Sequence, residues 1–179
     1  DVAVTLERPA ELKLDGGYGP NNKGWCFQTE VLSNGYAKAV ENVMRYTPRI
    51  ILFGEIRGPE EARQALRLGN TGHLVISTMH SSSGIDAINR FIELASEGDD
   101  IKQASTALSR ALLAVFNQKM NITHAGKIFD LTSLFIPPDD TRIKGMIANN
   151  TTNQLVTDID RQKILIDNGE DPSISVERY

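Results

Sequence analysis

"IILFGEIRGPEEARQALRLGNTGHLVISTMH", Ile50 to His80, reads as strand, helix, strand. Ile50 to Phe53 is an apolar run that ends abruptly at Gly54 and Glu55. Pro59 to Leu68 predicts a helix: proline suits a first turn whose N–H groups lack intrahelical partners, and Glu60 and Glu61 suit the positive end of the dipole. Gly69 to Gly72 breaks the pattern, and Leu74 to Thr78 is a second apolar run. Two strands joined through a helix run parallel. Neither run alternates with polar residues, as expected of strands covered on both faces.

Working outward, Val2 to Leu6 is a short β-prone run ended by Pro9, and residues 14–25, "LDGGYGPNNKGW", read as an exposed loop. Asn34 to Arg45 predicts a helix, with Ala37, Val40, Val43 and Met44 at helical spacing and Pro48 beyond its end. Downstream, Ser83 to Leu94 predicts a helix with Ile85, Ile88, Phe91 and Ile92 on one side, followed by a loop at 96–100. Ile101 to Lys119 reads as one long amphipathic helix carrying Leu108, Leu112 and Val115. Asn121 to Pro137 predicts a hairpin turning at "HAGK", and Pro137-Pro138 breaks the chain. Helices are expected at Thr141 to Ala148 and Thr152 to Asn168, the second closed by Gly169, before a polar tail. The expected organisation is a parallel-sheet core over 1–120 and a hairpin-and-helix appendage over 121–179.

The 179 residues suffice for one domain and a small appendage. With 40% apolar and 23% charged residues, a packed core is expected. A formal net charge of -4 disfavours nucleic-acid binding by bulk electrostatics. Cys26 stands alone, which excludes a disulfide framework and a thiolate zinc cluster and fits a reducing, cytosolic compartment. No apolar stretch approaches the roughly 18–20 residues of a membrane span, so membrane association would be peripheral. The chain opens directly on "DVAVTLERPAEL", patterned like a core strand, whereas natural termini are usually loosely held. Residues upstream are therefore expected.

Chemistry collects where the apolar runs end. "VAVTL" runs into Glu7, "IILFG" into Glu55 and "LVISTM" into His80. In parallel α/β sheets ligands bind at the carboxyl ends of the strands. One rim carrying two carboxylates and an imidazole suits a metal ion and an activated water. Any one of these acids also has a bland reading as a helix cap or a solvated charge; it is the coincidence of three that points to a site. Four apolar residues, then Gly54 and Glu55, look like a Walker B element, whose carboxylate holds Mg²⁺ directly or through water while the metal bridges nucleotide phosphates. Gly54 lets backbone pass close to a ligand. Arg57 either answers Glu55 or reaches a phosphate. His73 and His80 bracket one strand about 23 Å long and cannot share an ion. His80, at the exit, suits a γ-phosphate; His73 suits a structural or subunit contact. His124 and Cys26 read as solvated and structural. "HAGKIF" and "GYGPNNKGW" fail the phosphate-loop pattern, and GxSxG, HExxH and GxGxxG do not occur.

Together these residues resemble the secretion-superfamily ATPases, the motors of type II and type IV secretion and of type IV pili. "TLERPAE" (Thr5 to Glu11) is similar to the family's Asp box, "MRYTPRIILFGEIRGPEEARQAL" to its Walker B segment, and "TGHLVISTMHSS" (Thr71 to Ser82) to its His box. The resemblance implies a RecA-like core, ATP and Mg²⁺ as cofactors, and a homo-oligomer, a hexamer in the family, in the cytoplasm at the inner-membrane platform of a secretion or pilus machine. It implies that Glu7 polarises the attacking water, that Glu55 serves Mg²⁺, and that His80 sits near the γ-phosphate with His73 second. Arg45, Arg57 and Arg63 match arginines that brace the site or a neighbouring subunit. Arg8, Arg49 and Gly58 stand where the family usually has Asp. The family's Walker A loop precedes the Asp box, so this chain is expected to be the carboxyl half of a longer motor and to bind ATP poorly alone. Two other readings stay open: a non-catalytic assembly subunit that keeps the fold, and an unrelated α/β binding domain with an incidental rim of charges.

Overall fold

The computed structural model describes residues 1–32, 35–96, 100–124 and 126–172. The middle of the loop expected at 96–100, the first residue of the helix expected at 34–45, one residue of the "HAGK" turn and most of the polar tail lie outside these. The chain divides into two compact units, Asp1–His80 with Leu94–Gly98, and Ser81–Glu93 with Asp99–Tyr179. The division falls just after His80 rather than at residue 120.

The first unit is built on a five-stranded sheet. Its strands are β1 (Val2–Glu7), β2 (Gly16–Tyr18), β3 (Gly24–Glu30), β4 (Ile50–Phe53) and β5 (Leu74–Ser77), in the order β2-β3-β1-β4-β5. All pairings are parallel except that of β2 with β3. The segment read as a loop at 14–25 thus contains an edge strand and the start of a sheet strand. Its glycines hid this, but they serve the pairing: a Cβ on Gly17 would lie 2.9 Å from Asn22, so the chain folds back tightly only without one. Ladder bonds from β2 to β3 then outweigh the poor strand propensity of glycine.

One face of the sheet carries the core. Val4, Leu6, Ile51 and Phe53 are wholly buried, and burying a side chain of this kind contributes roughly 1.5–3 kcal/mol. Helices α1 (Tyr36–Val43) and α2 (Pro59–Asn70) add Tyr36, Val40, Val43, Ala62, Ala65 and Leu68 to the buried set. Tyr36 stacks on Phe53 with ring centroids 6.0 Å apart. Helix α1 has no side-chain cap of its own at Gly35. Instead Glu60, in the first turn of α2, accepts a hydrogen bond from the Ala37 N–H at 2.9 Å, tying the two helices together.

In the second unit, α3 (Gly84–Ala95, its last residues grouped with the first unit) and α4 (Ile101–Ala111) precede a hairpin of β6 (Ala114–Thr123) and β7 (Gly126–Phe135). The helix expected to reach Lys119 stops at Ala111. Leu112 and Val115 happen to extend the helical spacing of Leu108, but ten residue pairs of antiparallel ladder decide the conformation. Asp100 and Asp140 cap α4 and α5 (Thr141–Ala148), accepting from the Lys102 and Ile143 N–H groups, each at 2.8 Å. The last expected helix is a 3-10 turn, Thr152–Leu155, running into α6 (Val156–Asp167), and Gly169 closes it with φ of +74°. Leu134, Ile143, Ile147 and Leu155 are buried in this unit. Gln162, 1% exposed, accepts from the Phe135 N–H at 2.7 Å and donates to its carbonyl at 2.9 Å, binding α6 to β7.

Candidate active site

Strands β1, β4 and β5 run in step, with Leu6 opposite Phe53 and Phe53 opposite Ser77. Their exits therefore lie side by side, and a cleft of about 420 Å³ opens there. Glu7, Gly54, Glu55, Arg57 and His80 all line it, together with Thr78, Arg8, Glu11, Tyr36 and Glu61. Glu7 is buried, and a hydrogen bond from Gln28 at 2.8 Å holds its Oε1.

Gly54 is where β1 and β4 crowd together. Its N–H donates to the Leu6 carbonyl at 3.0 Å, and a Cβ at this position would lie 3.1 Å from Glu7 Cγ and 3.4 Å from its Cα. The glycine keeps the Glu7 side chain in place. Beyond it, the Thr78 hydroxyl donates to the Gly54 carbonyl at 2.5 Å, and the Ile56 N–H donates to the Thr78 carbonyl at 2.9 Å. Glu55 is thus pinned between two bonds from the exit of β5. Here is the physical reason the apolar run stops: the next residues face a cleft, not a core.

Glu55 has a side chain 20% exposed. Arg57 Nε donates to its Oε2 at 2.6 Å, and His80 Nε2 lies 3.5 Å from its Oε1. The hydrogen bond to Glu55 raises the Arg57 guanidinium's proton affinity further, so this cation stays charged throughout. Of the two roles considered for Arg57, the structure shows the first, pairing with Glu55. His80 itself is 93% exposed, open to whatever enters the cleft.

Three candidates are not among the residues lining the cleft. His73 sits at the opposite end of β5, its Nδ1 3.3 Å from both the Thr71 hydroxyl and the Leu68 carbonyl at the end of α2. Arg45 is exposed in the 3-10 turn Met44–Tyr46, and Arg63 is exposed on α2. Sequence reasoning in turn missed Gln28, Tyr36 and Glu61. Gln28 lay beside a segment read as loop, and Glu61 was assigned only to the helix dipole. The signal for Gln28 was the β-prone run "WCF" leading into it.

Among the described residues no three His, Cys, Asp or Glu side chains converge as a ready-made metal site. The cleft instead offers separate carboxylates, Glu7 and Glu55. A hard oxygen donor set of this kind is compatible with magnesium, which is usually held by one or two carboxylates with the substrate's phosphates rather than by a protein cage.

A family model described as type II/IV secretion system protein matches residues 1–129. Type II secretion system protein E of Klebsiella pneumoniae is 33% identical over 120 residues, 65% of this chain and 21% of that protein. A twitching motility protein of Neisseria gonorrhoeae is 34% identical over 123 residues, 69% of this chain and 32% of its own length. Among solved structures, the pilus retraction motor PilT with bound ADP superposes with a TM-score of 0.72 at 27% identity, covering 87% of this chain and 44% of PilT. The Legionella pneumophila ATPase DotB gives the same TM-score of 0.72 at 23% identity, over 98% of this chain and 49% of DotB, and shares the fold. The fold is accordingly α/β and RecA-like. This chain spans a fifth to a third of the curated relatives it matches.

Proposed function

The chain belongs to the type II/IV secretion system protein family, and from that membership we propose that it forms part of an ATP-hydrolysing motor for secretion, pilus movement or conjugative transfer. One observation carries the reading: Glu7, Glu55 and His80, from three separate strands, line a single cleft at the carboxyl rim of the sheet. The family relatives named for secretion and twitching motility, and the ADP held by the pilus retraction motor, support it.

In this mechanism a water attacks the γ-phosphorus in line, the bond to the bridging oxygen breaks, and ADP leaves with the electron pair. Glu7 orients that water and takes its proton; burial beside the sheet keeps the carboxylate fixed in place. Glu55 stands where it would hold magnesium, through an intervening water, and the ion supplies charge neutralisation at the phosphates. His80 donates to a γ-phosphate oxygen, and Arg57 keeps Glu55 oriented until a phosphate competes for the guanidinium. Arg45, Arg63 and His73 lie off the cleft and are assigned to a neighbouring subunit of a hexamer, where hydrolysis changes packing between copies. From its kinship with secretion and pilus motors we assign the motor to the cytoplasmic face of an inner-membrane platform. As a separate fact, no described helix is long and apolar enough to cross a membrane.

The test is Glu55→Gln in the complete protein. Nucleotide affinity should stay within about threefold while turnover falls by about two orders of magnitude or more, the scale at which single catalytic charges act. Unchanged turnover would overturn the assignment of Glu55, whereas no turnover in the unaltered complete protein would leave a non-catalytic assembly role.

A further inference from the structure

We propose that Gln28 is a positioning residue for Glu7, a role that rests on the reading of Glu7 as the group that orients and deprotonates water. Gln28 lies on β3 opposite Thr5 of β1, so it shares a face with Glu7 two residues further along. Its side-chain amide is committed on both atoms. Nε2 donates to Glu7 Oε1 at 2.8 Å and to the Leu12 carbonyl at 2.6 Å; Oε1 accepts from the Leu14 N–H at 3.0 Å.

These partners allow one orientation of the amide. Turned over, its oxygen would face a carboxylate oxygen and a carbonyl oxygen, and its NH₂ would face an N–H, so all three contacts would repel. The loop after β1 therefore fixes the amide, and the amide fixes one oxygen of Glu7. With Oε1 held in this bond, the orientation of the whole carboxylate is fixed, and Oε2 is assigned as the oxygen that meets water. Leu12 and Leu14 also line the cleft. The lip of the cleft and its innermost carboxylate are thus joined through a single side chain.

A glutamine used only for packing would not need this donor pattern, and the difference is measurable. In the complete protein, Gln28→Glu keeps the size and still accepts from the Leu14 N–H, but replaces the NH₂ that faces Glu7 with an oxygen. Gln28→Met keeps the length and removes every polar atom. Each should lower kcat for ATP hydrolysis by tenfold or more, with KM and MgADP affinity within about twofold. Combined with Glu7→Gln, neither should lower kcat further, because the path through Glu7 is already cut. Full kcat in both Gln28 variants would overturn the inference, as would an undiminished loss in the Glu7→Gln background. If Glu7→Gln alone leaves kcat intact, it is the reading of Glu7 that fails, and the two failures are distinguishable. Should Gln28→Glu fold poorly, as judged by its melting temperature, Gln28→Met carries the same comparison without an added charge.

Discussion

Gln28 in the first unit and Gln162 in the second each make two or more hydrogen bonds through one amide, and Arg57 and Arg142 each pair with a carboxylate, yet the two sets do different work. Gln162 is sealed in, and both its bonds go to the backbone of Phe135. Arg142 reaches Asp158, whose side chain is 5% exposed, and the bond to that carboxylate raises the guanidinium's proton affinity. Gln28 and Arg57 instead grip Glu7 and Glu55, two carboxylates lining an open cleft. Similar pairs of side chains therefore hold a fold in one place and present charge to a ligand in the other. What separates them is whether the acid faces packed side chains or a cavity.

That contrast can be broken by exchanging what each pair is asked to do. The largest effect on activity is expected at Glu55, where Gln should cost about a hundredfold or more in turnover while shifting the melting temperature little. Asp158→Ala should do the reverse. It strands Arg142 beside a partly buried gap, and roughly 2–3 kcal/mol of stability should be lost in denaturant titration, with hydrolysis per folded molecule unchanged. Gln162→Leu leaves the Phe135 N–H and carbonyl without their partner and should cost about 2 kcal/mol, again with turnover intact. His80→Ala should lower turnover about tenfold and leave stability alone, since its ring is largely exposed. The smallest effect concerns Asp86. Hydrogen bonds from Ser82 and Ser83 hold its carboxyl below the usual carboxylate range. Its contribution is therefore present above the unfolded value and lost as pH falls through the lower folded one. Asp86→Asn should flatten that acid limb when melting temperature is followed from about pH 5 down to pH 2.

The parts of the fold that were legible in the sequence share one property: their local pattern and their tertiary role agree. Ile50 to Phe53 is a strand as its apolar run predicts, and α2 carries its start signal in Pro59, Glu60 and Glu61. Leu74 to Ser77 is a strand too, but it lies at the sheet's edge with Leu74 and Ile76 exposed, not covered on both faces as its apolar run suggested. Where the two levels conflict, reading fails. Gly16 and Gly17 look like loop but pair with β3, and Val115 continues a helical spacing but belongs to a ladder with Leu134. The site divides in the same way. Glu7, Glu55 and His80 were visible because each ends a strand, and strand ends in parallel sheets share a rim. Gln28 was not, since its importance depends on which strand lies beside β1, a long-range fact with no local mark. His73 was legible from its spacing as lying a strand's length from His80, and it is not among the residues lining the cleft.

The central claim is spatial, and a structure of the complete protein with magnesium and a non-hydrolysable ATP analogue tests it directly. The account predicts the metal within about 5 Å of the Glu55 carboxylate, the distance of one bridging water, with the γ-phosphate between Glu7 and His80. A triphosphate bound elsewhere, with Glu7 and Glu55 both turned away from it, would contradict it.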